Sequence, residues 1–284
     1  MDIEEFAEKF IEQKNKTPLE EFDGFSPDDM YNIVYFPFSE QSPIPLNTTI
    51  NKQILTDIPI FKIVLELLSI INSNNGVKLT PKGNLPVNIV KEIYNKRYMT
   101  DILIEKGITK LNQEERWMVL HTTKIVLKLS GIIRKFKGKL IISKQAKAEL
   151  EKDQILKLFL KFFRAYTNQF NWAYNDQFEN EQAGQTGFLF LLYLVNKYGA
   201  KYRDIKFYTN LYLKAFPMFA FESEEYGGIK FDEAEFIILL RFFERFAAWF
   251  GLVKMKYETQ KNYFEKSTFI KKTDILTNLL TIDT

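Results

Sequence analysis

The chain has 284 residues, of which 46% are hydrophobic and 26% are charged, and its formal net charge is +3. This composition is typical of a folded globular protein and excludes a disordered or fibrous chain, and the length suits one large domain or two modest ones. There is no cysteine and a single histidine, His121, which excludes disulfides, thiolate nucleophiles and cysteine-bearing zinc sites.

Charge is distributed unevenly along the chain. Residues 1–40 hold eleven acids and three lysines, whereas residues 116–148 hold nine basic residues and no acid. The acidic first residues lack the apolar core of a signal peptide. The longest apolar run, Phe188–Val195, is far shorter than the roughly 20 residues of a membrane-spanning helix. We therefore expect a cytoplasmic protein with no membrane partner.

The first predicted elements are helices separated by a proline-bearing loop. An acidic helix is predicted over residues 3–13, and a second begins after Ser26, which is a good cap before a proline at the first helical position. An apolar helix follows over residues 58–72, with Asp57 predicted as its cap. A turn then leads to a short strand at Val77–Leu79, and another helix starts after Pro86.

The next stretch predicts a helix, a hairpin and another helix. Residues 112–115 match a capping box, which predicts a helix from there to Ser130, closed by Gly131 in a left-handed conformation. Two short strands flank the dipeptide 137–138 and predict a β-hairpin, after which Ser143 caps a new helix. Periodicity in the second half predicts further helices, over residues 156–172, 187–198, 204–216 and 232–250.

The order of predicted elements around the hairpin is repeated later in the chain. Gly131 and Gly251 each follow a long helix and lead through a strand, a turn and a second strand to a capping Ser143 or Thr273. This order is typical of the C-terminal end of a winged-helix unit. We therefore predict a mainly α protein with short β-hairpins and winged-helix-like units. The predicted domains are an N-terminal winged-helix-bearing domain over residues 1–152 and a C-terminal helical domain over residues 153–284, which ends in a second wing-like unit.

One segment resembles a known group of proteins. The stretch Val77–Pro86, VKLTPKGNLP, resembles a segment of uncharacterised bacterial proteins related to the plasmid open reading frame 3-like family. The helix start at Ser26–Met30 and the loop Tyr35–Phe38 are similar too, so the resemblance extends over the N-terminal half and, more loosely, the C-terminal wing-like end. It implies bacterial origin and a helix-rich, winged-helix-like architecture, and it transfers no catalytic residue.

The basic run around the first hairpin is the candidate functional site. Lysines on a wing and its flanking helices suit contact with nucleic-acid phosphates, although lysine-rich hairpins also protect sheet edges from aggregation, and the two interpretations have equal weight. Only two arginines, the commonest base readers, fall in the run, which favours contacts with the backbone. The predicted nucleic-acid-binding residues are Lys124, Lys128, Arg134, Lys135, Lys137, Lys139, Lys144 and Lys147.

The remaining polar residues favour structural roles. Most paired acids stand at helix starts, where the helix dipole stabilises them, and His121 lies within a helix. The aromatic residues between Phe159 and Tyr174 have the spacing of a helix core, and Gly184–Gly187 lacks the lysine of a phosphate-binding loop. We therefore expect no enzyme activity, no metal and no cofactor. The predicted function is nucleic-acid binding; the alternative is a protein-interaction module with winged-helix units as its scaffold.

Overall fold

The computed structural model describes residues 3–176, 178–220, 224–226, 229–259 and 266–281. These residues are mainly α-helical, with small antiparallel sheets, as predicted. The α-helices are α1 (Ile3–Asn15), α2 (Pro27–Tyr35), α3 (Lys52–Asp57), α4 (Pro59–Ser73), α5 (Val87–Asn95), α6 (Ile102–Glu105), α7 (Met118–Leu129), α8 (Lys144–Glu151), α9 (Ile155–Asn168), α10 (Phe188–Tyr198), α11 (Ile205–Ala215), α12 (Glu233–Ile238) and α13 (Asp274–Leu279). The strands are β1 (Val77–Lys78), β2 (Ile133–Phe136), β3 (Lys139–Ile142), β4 (Arg203–Asp204), β5 (Glu224–Tyr226), β6 (Ile229–Phe231), β7 (Val253–Thr259) and β8 (Lys266–Lys272).

The chain forms two compact units. The central unit comprises Thr48–Asp176, and the flanking unit comprises Met1–Asn47 together with Gln177–Thr284. The predicted boundary after residue 152 therefore lies inside the central unit. The reason is packing: the buried ring of Phe159 on α9 meets that of Phe61 on α4 edge to face, with centroids 5.4 Å apart, so that α9 completes the core of the central unit.

The two units differ sharply in charge. The central unit contains 22 Lys and Arg against 11 Asp and Glu, a formal charge of +11, while the flanking unit contains 17 against 25, a charge of −8; together these give the total of +3. The division of the fold thus separates a strongly basic unit from an acidic one.

The central unit folds around α4, whose apolar face supplies Phe61, Val64 and Leu68 to the core. Its sheet has the strand order β1-β3-β2, and all pairs are antiparallel. Lys137 and Gly138 connect β2 to β3 with φ of 47° and 76°, as a tight hairpin turn requires.

The predicted order of helix, glycine, hairpin and capping residue is confirmed in the central unit. Helix α7 ends at Leu129, Gly131 adopts φ 70°, and Ser143 caps α8 by accepting a 3.3 Å hydrogen bond from the Ala146 N–H. The backbone N–H of Ser143 also donates to the carbonyl of Ile132 at 2.9 Å. This bond closes the hairpin onto the end of α7.

The flanking unit repeats this order. Helix α12 continues as a π-helix over Leu239–Ala247, Gly251 adopts φ 66°, and Thr273 caps α13 by accepting from the Leu276 N–H at 3.4 Å. The Thr273 N–H donates to the carbonyl of Leu252 at 3.1 Å, the counterpart of the bond at Ser143. The strand order is β4-β8-β7; the turn between β7 and β8 lies outside the described residues.

Two predicted helix caps are wrong. Asp57 is the last residue of α3 rather than the cap of α4, which begins at Pro59 after Ile58. The match at residues 112–115 does not cap α7 either: Glu114–Arg116 form a single 3-10 turn, and α7 begins at Met118. The carboxylate of Glu114 is used in a buried network instead. Among the described residues, no helix is both long and apolar enough to cross a membrane.

Candidate nucleic-acid interface

The basic run lies around the first hairpin, and most of its predicted contact residues face solvent. Seven of the eight are exposed, and they lie at the end of α7, on β2 and β3, in the turn between these strands and on α8. The exposed residues are Lys128, Arg134, Lys135, Lys137, Lys139, Lys144 and Lys147.

Lys124 is the exception, and its predicted role on the surface is wrong. It is only 5% exposed. Its Nζ lies 2.6 Å and 2.7 Å from the two carboxylate oxygens of Glu114 and donates to the carbonyl of Gly83 at 3.0 Å. A buried ammonium group needs such a partner because desolvation makes an unpaired charge very costly. Lys124 is therefore part of the core and not of the basic surface.

Glu114 is the centre of this buried network. Besides Lys124, its carboxylate accepts a 2.6 Å hydrogen bond from the backbone N–H of Leu85, and the Nδ1 of His121 lies 2.6 Å from it. Burial opposes ionisation of the carboxyl, but the hydrogen bonds from His121, Leu85 and Lys124 outweigh it and hold the pKa of Glu114 below its usual value. The network links the loop after β1 to α7. It therefore holds in position the helix that precedes the hairpin.

Except for Lys128 near its end, the polar residues of α7 are engaged within the protein. Thr122 is fully buried and accepts a 2.9 Å hydrogen bond from the Nδ2 of Asn175, and Thr123, also buried, donates to the carbonyl of Val119 at 2.7 Å. The ring of His121 stacks beside Tyr174, with centroids 6.2 Å apart. A helix that reads bases in a groove must present free polar side chains, and this face of α7 does not present them.

The outer face of the sheet adds residues that the sequence did not single out. The strand register pairs Lys78 with Lys139 and Lys139 with Phe136, so these three exposed side chains form one row across β1, β3 and β2. The guanidinium of Arg134 lies 5.2 Å from the centroid of the Phe136 ring, and the Nζ of Lys137 lies 5.5 Å from it. An exposed aromatic ring is thus surrounded by cations.

Two of these residues show the limit of the sequence patterns. Lys78 stands more than fifty residues before the hairpin, and only the pairing of the short strand β1 with β3 brings it there. Phe136 lies inside the basic run, directly before the turn residues Lys137 and Gly138. Because a hairpin turn exposes its flanking side chains, this position could have predicted that the ring is exposed.

The cations of this surface are not neutralised by acids. Within the described ranges, no carboxylate oxygen lies within salt-bridge distance of Lys78 or of the seven exposed residues of the run. Unpaired cations on a unit of charge +11 produce a positive field that attracts polyanions.

The described part of the chain also contains no group of three or more His, Asp or Glu side chains arranged to hold a metal ion.

The chain matches no family model, no curated protein and no solved structure. The residues of this surface therefore supply the basis for a functional proposal.

Proposed function

We propose that the central unit is a winged-helix unit that binds nucleic acid through its hairpin. The order of its elements supports this: a helix (α4), a short strand (β1), two main helices (α5 and α7) and a hairpin (β2 and β3), with the short strand paired to the second strand of the hairpin. From α10 to β8 the flanking unit has the same order, except that the strand pair β5 and β6 is inserted between α11 and α12, and this order supports a second unit of this kind.

The observation that carries the proposal is the exposed, unpaired positive charge on and beside the hairpin. A protein that neutralises phosphates releases condensed counterions, and this release supplies most of the free energy of sequence-independent binding. Because Thr122, Thr123 and Lys124 of α7 are used internally, we propose contacts with the sugar-phosphate backbone rather than base reading by an inserted helix. That the protein has no enzyme activity and no cofactor stays a prediction. That it is related to the plasmid open reading frame 3-like family also stays a prediction.

The test is a triple substitution on the hairpin, Lys135→Glu, Lys137→Glu and Lys139→Glu. We expect it to abolish binding of a labelled duplex DNA in a mobility-shift series over salt concentration. In variants with one lysine changed, each lost phosphate contact should flatten the dependence of log affinity on log salt by about 0.9. All three side chains are exposed, so the fold should survive, since surface substitutions usually change stability by about 0.5 kcal/mol or less.

The matched control changes the other hairpin by the same charge, with Lys254→Glu, Lys256→Glu and Lys271→Glu. It should bind DNA as the wild type does, because the lost charges belong to the acidic unit. If both triple variants lose affinity equally, the effect comes from net charge and the hairpin of the central unit has no special role. A wild-type protein that ignores duplex and single-stranded nucleic acid at low salt would end the proposal.

A second candidate function, protein interaction, is favoured by α1. This helix has no buried residue, and one face of it exposes Ile3, Phe6, Phe10 and Ile11. Its acids are concentrated in the first half and its lysines in the second, so two copies of the helix placed antiparallel would bring opposite charges together. We propose a second copy of the chain as the occupant of this face.

Light scattering after size exclusion tests this second candidate. The wild type should show a dimer that dissociates on dilution, because a pair of short helices buries little area compared with standard interfaces. Phe6→Ser with Phe10→Ser should give a monomer at every concentration. A monomeric wild type at high concentration contradicts this candidate and leaves the nucleic-acid proposal untouched.

A further inference from the structure

The outer face of the central sheet combines positive charge with an exposed aromatic ring, and a plain phosphate-binding surface does not need the ring. Phe136 is 47% exposed at the end of β2, although burying such a ring in the core would stabilise the fold. Its neighbours on the sheet are charged: Lys139 opposite it, Lys78 beyond Lys139, and Arg134 two residues earlier on the same strand. The ring is therefore accessible and surrounded by positive charge.

We propose that this face is a stacking platform for an unpaired base, and that the ligand of the central unit is single-stranded nucleic acid. The inference rests on the proposed function and specifies its ligand. A base inside a duplex is stacked on both sides by its neighbours, so an aromatic side chain can cover only a base that is unpaired or flipped out. Proteins that bind single strands combine such rings with a cationic groove that follows the backbone.

The neighbours of Phe136 suit this role. A base stacked on the ring brings its own phosphates close to the sheet. From the ring on β2, the row continues through Lys139 on β3 to Lys78 on β1, about 5 Å per strand, so that its two lysines can follow the backbone. Arg134 and Lys137 lie over the ring, within 5.5 Å of its centroid, and supply further positive charge next to it.

Helix α7 supports the same choice of ligand. A duplex-reading winged helix would need an exposed polar helix face for the major groove. Here Thr122, Thr123 and Lys124 are buried and hydrogen bonded within the protein. The hairpin surface, by contrast, presents the features of single-strand recognition, namely an open ring and backbone-directed cations.

The experiment compares a fluorescein-labelled oligothymidylate of about 12 nucleotides, within the usual site size, with a duplex of the same length. Fluorescence anisotropy at fixed salt should show tighter binding of the single strand by the wild type. Phe136→Ala should weaken single-strand binding by about 5- to 150-fold, the range for loss of one stacked base. Its salt dependence and its affinity for the duplex should stay unchanged, because no charge is removed.

Three further variants make the result specific. Phe136→Tyr keeps a ring and should bind as the wild type does, whereas Phe136→Leu keeps apolar bulk without a ring and should behave like Phe136→Ala. Tyr257→Ala removes a comparably exposed ring from the hairpin of the flanking unit and should have no effect.

The possible failures are distinguishable. Equal affinity for single strand and duplex, an equal loss of both in Phe136→Ala, or wild-type binding by Phe136→Leu would each overturn the platform while the proposed function stands. Failure of the wild type to bind either probe would overturn both.

Discussion

The two three-stranded sheets share a topology and differ in the residues on their outer faces. In the central unit the register aligns Lys78, Lys139 and Phe136 across the sheet, and in the flanking unit the same register positions hold Asp204, Phe269 and Lys256. The single cation of the second row is already paired, because the Nζ of Lys256 lies 2.6 Å from a carboxylate oxygen of Glu258. Asp204 is also engaged, since it caps α11.

The comparison separates what the fold requires from what a ligand would require. Both units have a glycine after the long helix, a Ser or Thr that caps the helix after the hairpin, and a short strand paired with the hairpin. Because both units share these features, the features serve the fold. Among the described residues, the row on the central sheet has unpaired cations beside an exposed ring, and the matching row of the flanking sheet does not. Since the same fold supports different functions through surface residues, the difference points to the central unit as the place of binding.

Each unit also buries one cation on the helix before its hairpin. Lys124 of the central unit pairs with Glu114, whereas Arg241 of the flanking unit donates to backbone carbonyls, those of Asn180, Ala183 and Phe178. In both units the cation ties a loop to this helix. The partner in the central unit is an acid, so the loss of either member leaves a buried charge behind.

Removal of Lys124 should therefore give the largest effect. Lys124→Met leaves the Glu114 carboxylate buried without its main cation, and breaking such a pair costs about 3–5 kcal/mol. Urea unfolding should report this loss of stability. Lys128→Met, on the same helix and exposed, is the control and should change stability by about 0.5 kcal/mol or less. If the two variants are equally stable, Glu114 and Lys124 are not coupled in the way their geometry indicates.

A substitution at Gly76 should have the next largest effect, because this residue brings the end of α4 against β3. Its φ is 102°, and a Cβ there would stand 2.9 Å from Cγ2 of Ile141 and 3.2 Å from the carbonyl oxygen of Leu140. Gly76→Ala should cost about 1–2 kcal/mol for the backbone and a further amount, about 1–3 kcal/mol, for crowding. Thermal melts with Gly131→Ala as control measure the difference, since Gly131 has φ 70° and open space around it. Equal costs would show that the sheet yields to the added methyl group.

Acid should destabilise the central unit through Glu114, with a smaller effect than either substitution. Its pKa is lowered in the folded protein, so the ionised carboxylate contributes stability that is complete above the unfolded value of about 4.5 and is lost as the pH falls through the folded pKa. Unfolding free energies measured from neutral to acidic pH should therefore decline more steeply in the wild type than in Glu114→Gln. Parallel curves would mean that folding leaves the pKa of Glu114 unchanged, because a group makes stability depend on pH only when its pKa differs between the folded and unfolded states.

Local sequence signals predicted much of the fold. Gly131, Gly251, Ser143 and Thr273 have the roles expected of them, because helix closure and capping depend on a few neighbouring residues. The network of Glu114 was missed for the opposite reason. Its partners Leu85 and Lys124 come from separate segments, and a carboxylate near a helix start resembles an ordinary capping residue.

The predicted domain boundary does not reveal the large difference in formal charge between the two units. A division after residue 152 gives formal charges of +2 and +1, from 22 basic and 20 acidic residues before it and 17 and 16 after it. The folded units carry +11 and −8, because the acidic first 47 residues belong with the C-terminal part of the chain. Such a discontinuous unit depends on long-range packing, which hydrophobic periodicity does not reveal.

The smallest effect we predict comes from Lys78, which only strand pairing brings to the binding surface. Lys78→Asp copies the residue at the matching position of the flanking sheet, Asp204. Loss of one phosphate contact should flatten the dependence of log affinity for a single strand on log salt by about 0.7, and the added negative charge should weaken binding further at low salt. Lys91→Asp makes the same charge change at an exposed position on α5 of the same unit. It should leave the salt dependence unaltered, because the change in net field alone removes no contact. If the two variants have the same salt dependence, Lys78 does not touch the ligand, and the binding row then begins at Lys139 rather than at the edge strand.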